Sequence, residues 1–180
     1  MTLSAQAAAF VLKHQGIIAH QTDTVLGLAC LPTDKLLRRL CRIKQRDLKK
    51  SFILLASSIS QLSPYVQLEQ KHLDTLSMAT NQPTTWLVPA NHDAPQLLIG
   101  NTNKIAIRIS HHPGVKPICD EVGAIASTSA NIAGQKICDN LLHVRQLFGP
   151  DIDYIDPHQA PGAGKSSSII DLDTGNVIRR

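Results

Sequence analysis

Four short stretches of this sequence concentrate hydroxyl, amide and basic side chains, which are the groups that bind anions in proteins. They are HQTDTVLGL at residues 20–28, RIKQR at 42–46, KIAIRIS at 104–110 and AIASTSANIAG at 124–134. Several of them follow or contain an apolar run, and α/β sheets commonly bind ligands where such strands end. The stretches therefore predict a site for an anionic ligand, such as the phosphates and ribose hydroxyls of a nucleotide.

Each stretch also has a simpler interpretation, which the sequence leaves open. The Thr-rich turn is of a common kind, and the segment from Ser127 to Asn131 can be a helix cap. Arg108 stands in an otherwise apolar strand, where it can hold a carboxylate or phosphate or form a structural salt bridge. Lys44 and Arg46 lie two residues apart and cannot share a helix face, so they serve one site only if the helix ends near them.

The stretch GAGKSSS at residues 162–168 is similar to the end of a phosphate-binding P-loop, but its context argues against one. A P-loop has the pattern G-x-x-x-x-G-K-[ST] after a strand and before a long helix. Gln159 stands where the first glycine is required, and the residues from Ser166 onward are SSSIIDL, which is typical of a strand. The glycines still allow the backbone to approach a ligand closely, and the serine hydroxyls can donate to an anion.

The composition is that of a globular protein with an aliphatic core. Of the 180 residues, 43% are hydrophobic, 18% are charged and only 3% are aromatic, which argues against aromatic platforms for stacking bases. The net charge of +4 is unevenly distributed, because residues 35–50 contain eight basic side chains and one acidic side chain. Such a segment indicates an anionic partner, either nucleotide phosphates or RNA, or else a solvated helix face.

The cysteines argue against a zinc site and for a reducing compartment. They are widely spaced, without a CxxC pair: Cys30, Cys41, Cys119 and Cys138. The first residues lack the features of a signal peptide, so we expect reduced thiols in a cytoplasmic protein. No apolar run approaches the about 20 residues of a membrane helix, and no membrane association is expected.

Helix and strand patterns alternate along the chain, which predicts a single α/β domain over residues 1–180 with helices on both faces of a sheet. Helices are predicted over residues 3–16 with Ser4 as the cap, after Thr33, over 67–79, from Pro113 to Val122, and from Asp139 or Asn140 to Phe148. Strands are predicted at residues 16–20, 52–57, 84–88, 104–110, 124–128, 151–155, 167–172 and 176–179. The last two are separated by a short turn, which predicts a mixed sheet rather than a purely parallel one.

Taken in order, the motifs resemble one family, the threonylcarbamoyl-AMP synthases of the YrdC/TsaC type. The resemblance covers nearly the whole chain, in the single-domain bacterial form. Its motifs are T-[ED]-T-V-x-G-L at Thr22–Leu28, K-x-R at Lys44–Arg46, a strand ending in Arg108, S-T-S-A-N at Ser127–Asn131, S-[TS]-I-[IV]-D at Ser167–Asp171, and a terminal Arg179. Each motif is weak alone, but their order and spacing together are specific.

The resemblance implies a fold and a reaction. The fold is a three-layer α/β/α domain with a twisted mixed sheet and a concave, positively charged face. Members of the family join L-threonine, bicarbonate and ATP into L-threonylcarbamoyl-AMP and pyrophosphate, and other proteins then transfer the threonylcarbamoyl group to tRNA. Mg²⁺ is expected to accompany the ATP, and direct contact with RNA is a further expectation. Such a phosphoryl displacement needs anions brought together and neutralised more than it needs a strong base.

The resemblance also assigns residues to the two halves of the site, and no acid–base catalytic residue is expected. The threonine or carbamate side is Thr24, Arg108, Ser127 and Ser167. The ATP side is Lys44, Arg46, Lys50, Ser129, Asn131 and Arg179.

The chain departs from the family pattern at four places. The departures are His20-Gln21 in place of Tyr-Pro, Leu26 in place of Tyr, Thr80-Asn81-Gln82-Pro83 in place of Trp-Pro-Gly-Pro, and Lys50-Ser51 in place of Lys-Pro. We expect them on the pocket walls, where they would affect substrate affinity more than the fold. His20 is either a new pocket residue or an ordinary packed or solvent-facing histidine. The alternative function is therefore a diverged, non-catalytic paralogue that binds RNA or nucleotide through the same basic face.

Overall fold

The computed structural model describes residues 2–77, 82–99, 102–158 and 160–179. Its helices are α1 Leu3–Lys13, α2 Asp34–Ile43, α3 Gln70–Ser77, α4 Gln96–Ile99, α5 Lys116–Val122 and α6 Leu141–Phe148, with a 3₁₀ turn at Ile59–Gln61. Its strands are β1 Ile18–Gln21, β2 Leu26–Cys30, β3 Ile53–Ala56, β4 Thr84–Pro89, β5 Lys104–Ile109, β6 Ile125–Ser129, β7 Tyr154–Ile155, β8 Ser168–Asp171 and β9 Val177–Arg179.

The strands form one sheet in the order β7-β1-β2-β6-β3-β5-β4-β8-β9. Three neighbouring pairs are parallel, namely β1 with β7, β3 with β5, and β4 with β8. The remaining pairs are antiparallel, including the closing pair of β8 and β9. The predicted mixed sheet is therefore confirmed.

Two apolar clusters cover opposite faces of the sheet and make three layers. The larger cluster joins alternate strand residues such as Leu54 and Ile107 to α2, α4 and α6. The smaller cluster joins the intervening residues, among them Leu55 and Ile125, to α1 and α5. Successive side chains of a strand point to opposite faces, and in the central strands each face carries side chains of one of the two apolar clusters. The predicted three-layer α/β/α architecture is confirmed.

Helix α2 ends where the basic segment turns toward the cavity described below. The Thr33 hydroxyl caps its start, accepting from the Leu36 amide. At its end, the Arg46 amide donates to the Cys41 carbonyl and the Gln45 amide donates to the Arg42 carbonyl, with Gln45 at φ 50°. This pair of bonds around a left-handed residue is a Schellman motif, which stops the helix. The expectation that the helix ends near Lys44 and Arg46 is confirmed.

Several predicted boundaries are wrong in detail. Thr2 rather than Ser4 caps α1, because its hydroxyl accepts from the Ala5 amide, and the helix ends at Lys13 before Gly16. Strand β2 is absent from the sequence-based prediction, since its residues LGLAC lack the β-branched and aromatic side chains that mark a strand. The strand predicted at 151–155 is reduced to β7, and residues 78 and 79 of the third predicted helix lie outside the described residues.

Candidate active site

A cavity of about 490 Å³ opens on the face of the sheet that α1 and α5 cover only in part. Its apolar floor comes from alternate residues of the central strands, namely Ile53 and Leu55 of β3, Ala106 of β5 and Leu87 of β4. Arg108 lies two residues after Ala106 on β5, so its side chain points to the same face of the sheet as these floor residues. A cavity of this size is typical of a small-molecule site.

Arg108 is the centre of one end of the cavity. Its side chain is 4% exposed and makes a salt bridge to Asp23, with 2.7 Å between Nη1 and Oδ1. It also donates to three hydroxyls, those of Thr85 at 3.1 Å, Thr24 at 3.2 Å and Ser167 at 2.9 Å. The sequence leaves open whether Arg108 binds a ligand or a structural partner. The structure shows a structural salt bridge on a residue that also lines the cavity.

Two loops meet at this end, and their contact explains the glycines of GAGKSSS. The amide of Ala163 donates to the Asp23 carbonyl, and that of Gly164 donates to the Thr24 carbonyl, both at 2.9 Å. A Cβ atom on Gly162 would lie 2.5 Å from the Thr22 carbonyl oxygen, so only glycine allows this approach. The segment then enters strand β8 rather than a helix, which confirms that it is not a P-loop.

The opposite end of the cavity is basic. Arg46, Lys49 and Lys50 line it. The Arg46 guanidinium donates to the Ser51 carbonyl at 2.6 Å and lies over the Phe52 ring, 5.3 Å from its centroid. Its Nε is buried and has no hydrogen-bond partner among the described residues, and burial lowers the pKa of the guanidinium. Such an arrangement of cations suits the phosphates of a nucleotide.

Arg179 of β9 closes the cavity over Ser167. Its Nη2 donates to the Ser167 carbonyl at 2.9 Å and its Nε donates to the same oxygen at 3.2 Å. Burial lowers the pKa of Arg179, and the nearby charge of Arg108 lowers it further. Because the Arg108 charge is offset by Asp23, the positive potential at this point of the cavity comes mainly from Arg179.

Lys44 holds the Ser129–Asn131 segment from below. Its side chain is only 1% exposed, and its ammonium donates to the carbonyls of Ser129 and Asn131 and to the Asn131 side-chain oxygen. That oxygen also accepts from the Ser129 hydroxyl at 2.6 Å. Burial lowers the pKa of Lys44 to about 7, with a smaller contribution from Arg46, while the three oxygens favour the charged ammonium. Lys44 therefore fixes the loop that carries Ser129.

His20 lies behind the wall formed by Gly27 and Ser127. It is fully buried, with its Nδ1 3.2 Å from the Gly114 carbonyl oxygen and its Nε2 3.4 Å from the Ser127 Oγ. Burial lowers the pKa of the imidazole below its usual 6.5. The histidine is therefore a packed residue that contacts a residue of the cavity wall.

The cavity brings together most of the residues that the resemblance assigns. Those that line it are Thr24, Arg108, Ser127 and Ser167 of the threonine set and Arg46, Lys50, Ser129 and Arg179 of the ATP set. Lys44 and Asn131 lie beneath it and are already engaged with each other. The roles of all ten residues stay predictions. Sequence reasoning did not assign roles to Asp23 or to the apolar floor.

Not all of the departures from the family pattern lie on the cavity wall, where we expected them. Leu26 is buried in the larger apolar cluster, on the other side of the sheet from the cavity, so its placement on the pocket wall is wrong. Lys50 and Ser51 do line the cavity. Thr80 and Asn81 of the third departure lie outside the described residues.

Part of the basic segment faces away from the cavity. Arg38 and Arg42 are exposed on α2, which packs in the other helical layer. Arg39, also on α2, is partly exposed and its guanidinium pairs with Asp153 at 2.8 Å. Only the part of the segment after α2 therefore serves the cavity.

The donor set of the cavity does not suit a resident Mg²⁺ ion. Among the described residues, its lining carries hydroxyls and cations but no carboxylate, and no group of three or more potential metal ligands occurs. In the described part of the chain, no helix has the length and apolar character needed to span a membrane.

The sequence matches a protein-family model and well-described relatives over nearly its whole length. The model is that of the Sua5/YciO/YrdC family, described as "Telomere recombination", and it matches residues 10–180. A relative from Histophilus somni, named threonylcarbamoyl-AMP synthase, is 37% identical over 94% of this chain and 94% of its own. One from Haemophilus influenzae with the same name is 35% identical over 99% of this chain and 100% of its own.

Solved structures share the fold. The structure of P. abyssi Sua5 complexed with L-threonine has a TM-score of 0.85 at 24% identity, over 96% of this chain and 52% of that one. The structure of E. coli YciO has a TM-score of 0.78 at 23% identity, over 99% of this chain and 88% of that one.

Proposed function

Because the chain belongs to the Sua5/YciO/YrdC family, we propose that it is a threonylcarbamoyl-AMP synthase, a nucleotidyltransferase acting on L-threonine, bicarbonate and ATP. One observation carries the proposal: a hydroxyl-rich end around Arg108 and a basic end around Arg46 share a single cavity. The relatives in H. somni and H. influenzae bear the name of this activity.

The two ends suit the two reaction partners. The threonine amine and bicarbonate form a carbamate and release water. A carbamate oxygen then attacks the α-phosphorus of ATP, and the bond to the departing pyrophosphate breaks. Arg108, with the hydroxyls of Thr24, Ser127 and Ser167, would hold the threonine or carbamate. Arg46, Lys50, Ser129 and Arg179 would hold the nucleotide, so that binding orients the attack and neutralises the phosphates.

Lys44 and Asn131 would act on ATP indirectly, by fixing the loop of Ser129. Mg²⁺ would enter bound to the phosphates of ATP as part of the substrate, and no step derived for these residues depends on it. We further propose that the chain acts as one domain over residues 1–180. A cytoplasmic location fits its four free cysteines, which are all buried thiols.

The product would pass to other proteins that transfer the threonylcarbamoyl group to tRNA. Direct RNA contact would use the exposed Lys49 and Lys50 at the mouth of the cavity. Such contact should weaken steeply with salt, and titration of labelled tRNA at two salt concentrations would test it.

The test of the synthase incubates the purified protein with ATP, L-threonine and bicarbonate, and measures pyrophosphate and threonylcarbamoyl-AMP. Product that depends on threonine supports the proposal. Arg46→Ala should abolish most of it, whereas the matched variant Arg42→Ala, which removes an exposed arginine of α2, should not. A folded protein that binds ATP and forms no product would instead be the non-catalytic paralogue.

A further inference from the structure

His20 reaches the cavity wall because a glycine stands between them. In the sheet, His20 of β1 pairs with Gly27 of β2, and Ser127 lies one strand further, on β6. A Cβ atom on Gly27 would lie 3.1 Å from the Ser127 Oγ and 3.4 Å from the His20 Nε2. The missing side chain therefore lets the imidazole pass over β2 and contact the serine.

The partners of His20 define which nitrogen carries the proton. The Gly114 carbonyl, 3.2 Å from Nδ1, can only accept a hydrogen bond, so the neutral imidazole carries its proton on Nδ1. Its Nε2 is then an acceptor, and the Ser127 hydroxyl at 3.4 Å is the donor that faces it. With its proton directed at His20, Ser127 has only lone pairs left for the cavity that it lines.

We propose that His20 is a positioning residue that makes Ser127 a hydrogen-bond acceptor toward the cavity, so that this wall receives the amino nitrogen of the amino-acid substrate. The inference rests on the proposed function, since it assigns threonine's N–H to a particular atom of that site. An anion is disfavoured at Ser127 for the same reason, and the carboxylate is left to Arg108.

Protonation of His20 at low pH should reverse the direction of its hydrogen bond with Ser127. A protonated imidazole donates from both nitrogens, so Nε2 would donate to the Ser127 oxygen and occupy a lone pair that the substrate needs. The charged groups near His20 are Asp156 and Asp23, which favour its protonation, and His112, which opposes it. Burial outweighs them and lowers the pKa of His20, so the reversal occurs below about pH 6.5. The threonine ammonium keeps its charge throughout this range.

The test measures L-threonine binding by calorimetry at about pH 8 and at the lowest pH at which the chain stays folded, because the lowered pKa of His20 places its protonation below the ordinary range of histidine. The unmodified protein should bind about fivefold more weakly at the lower pH, the effect of one hydrogen bond. In His20→Gln, the amide can donate to Gly114 and accept from Ser127 without titrating. That variant should keep the affinity measured at the higher pH and lose the pH dependence.

A double-mutant cycle separates this role from a merely structural one. His20→Phe should weaken threonine binding about fivefold at the higher pH in the unmodified background and add nothing in a Ser127→Ala background. ATP binding, measured separately, should not change. If His20→Phe does not fold, the comparison of His20→Gln with the unmodified protein decides alone.

The inference is overturned if His20→Gln keeps the pH dependence of the unmodified protein, or if His20→Phe weakens binding equally in the Ser127→Ala background. It also falls if the unmodified protein fails to bind L-threonine with and without ATP. The synthase assay separates the two proposals. Threonine binding with the expected pH dependence but no product contradicts the proposed function alone, and product formation that is indifferent to His20 contradicts this inference alone.

Discussion

Replacing Gly162 with alanine should damage the threonine end of the cavity through backbone contact alone. The added Cβ would lie 2.5 Å from the Thr22 carbonyl oxygen and 2.7 Å from that of Thr24. Both obstacles are backbone atoms of a buried turn, so no side-chain rotation relieves the clash. The loop must retreat by at least about 0.5 Å, because carbon and oxygen atoms do not approach so closely without strong repulsion.

The cost follows from the bonds that this retreat strains. Two backbone hydrogen bonds of 2.9 Å tie Ala163 and Gly164 to the 22–24 turn. At about 1 kcal/mol net for each bond, their loss lowers the free energy of unfolding by up to about 2 kcal/mol. For a chain of this size, that is a fall in Tm of about 4–8 °C. Thr24 and Ser167, which flank the joint, both accept from Arg108, so threonine affinity should fall about tenfold or more.

Gly164→Ala is the matched control in the same loop. Gly164 has a φ of 68°, which disfavours alanine, but a Cβ there would meet nothing within 4 Å. Calorimetric unfolding and threonine titration of the two variants should show destabilisation by about 1 kcal/mol in Gly164→Ala with unchanged threonine affinity. If Gly162→Ala binds threonine as well as Gly164→Ala does, the loop contact does not shape the site and the reasoning is wrong.

Other perturbations have equally definite outcomes. Arg46→Ala should weaken ATP binding by about tenfold or more through loss of charge-assisted bonds and leave threonine binding unchanged, whereas a parallel loss of both would contradict the two-ended site. Burial raises the pKa of Cys30 and Cys119 to about 12, so mass spectrometry should find neither alkylated by iodoacetamide at about pH 8 unless the chain is unfolded. Because the pKa of Lys44 is lowered from 10.5 to about 7, the unfolded chain binds the extra proton between those values. Its unfolding free energy in urea should therefore rise with pH between about pH 7 and about pH 8, by at most about 1.4 kcal/mol per unit, and Lys44→Met should remove that slope. Above the ordinary cysteine value of 9.0, the raised pKa values of Cys30 and Cys119 act in the opposite direction.

The layers of this fold are predictable from the sequence because helix caps and the spacing of apolar residues mark most of its helices and strands. Helix α2 follows from the Thr33 cap and an apolar stripe, and α6 follows from Asn140, whose side chain accepts from the His143 amide at 2.8 Å. Strand β2 is missed because LGLAC contains a glycine, two leucines and an alanine but no β-branched or aromatic residue, and such a composition has low strand propensity.

The candidate site is likewise predictable from the sequence only in part. Hydroxyls and cations are visible in sequence, and the turn around Thr24, the strand end at Arg108 and the segment after α2 do converge on one cavity. The floor is not visible, because β3 is apolar on both faces and nothing in ILLA tells which residues face the helices. The partnership of Arg108 with Asp23, 85 positions apart, depends on tertiary contacts that no local pattern contains.

The left-handed turn at Gln45 gives the K-x-R spacing a meaning beyond its charges. Because Gln45 has a φ of 50°, the residues on either side of it point in different directions. The Lys44 ammonium lies under the Ser129 loop, and the Arg46 guanidinium lines the cavity. The middle position contributes its backbone rather than its exposed side chain. A designer transplanting this corner could therefore place Asn or Gly there, which accept that conformation, but a β-branched residue would alter the direction of both cations at once.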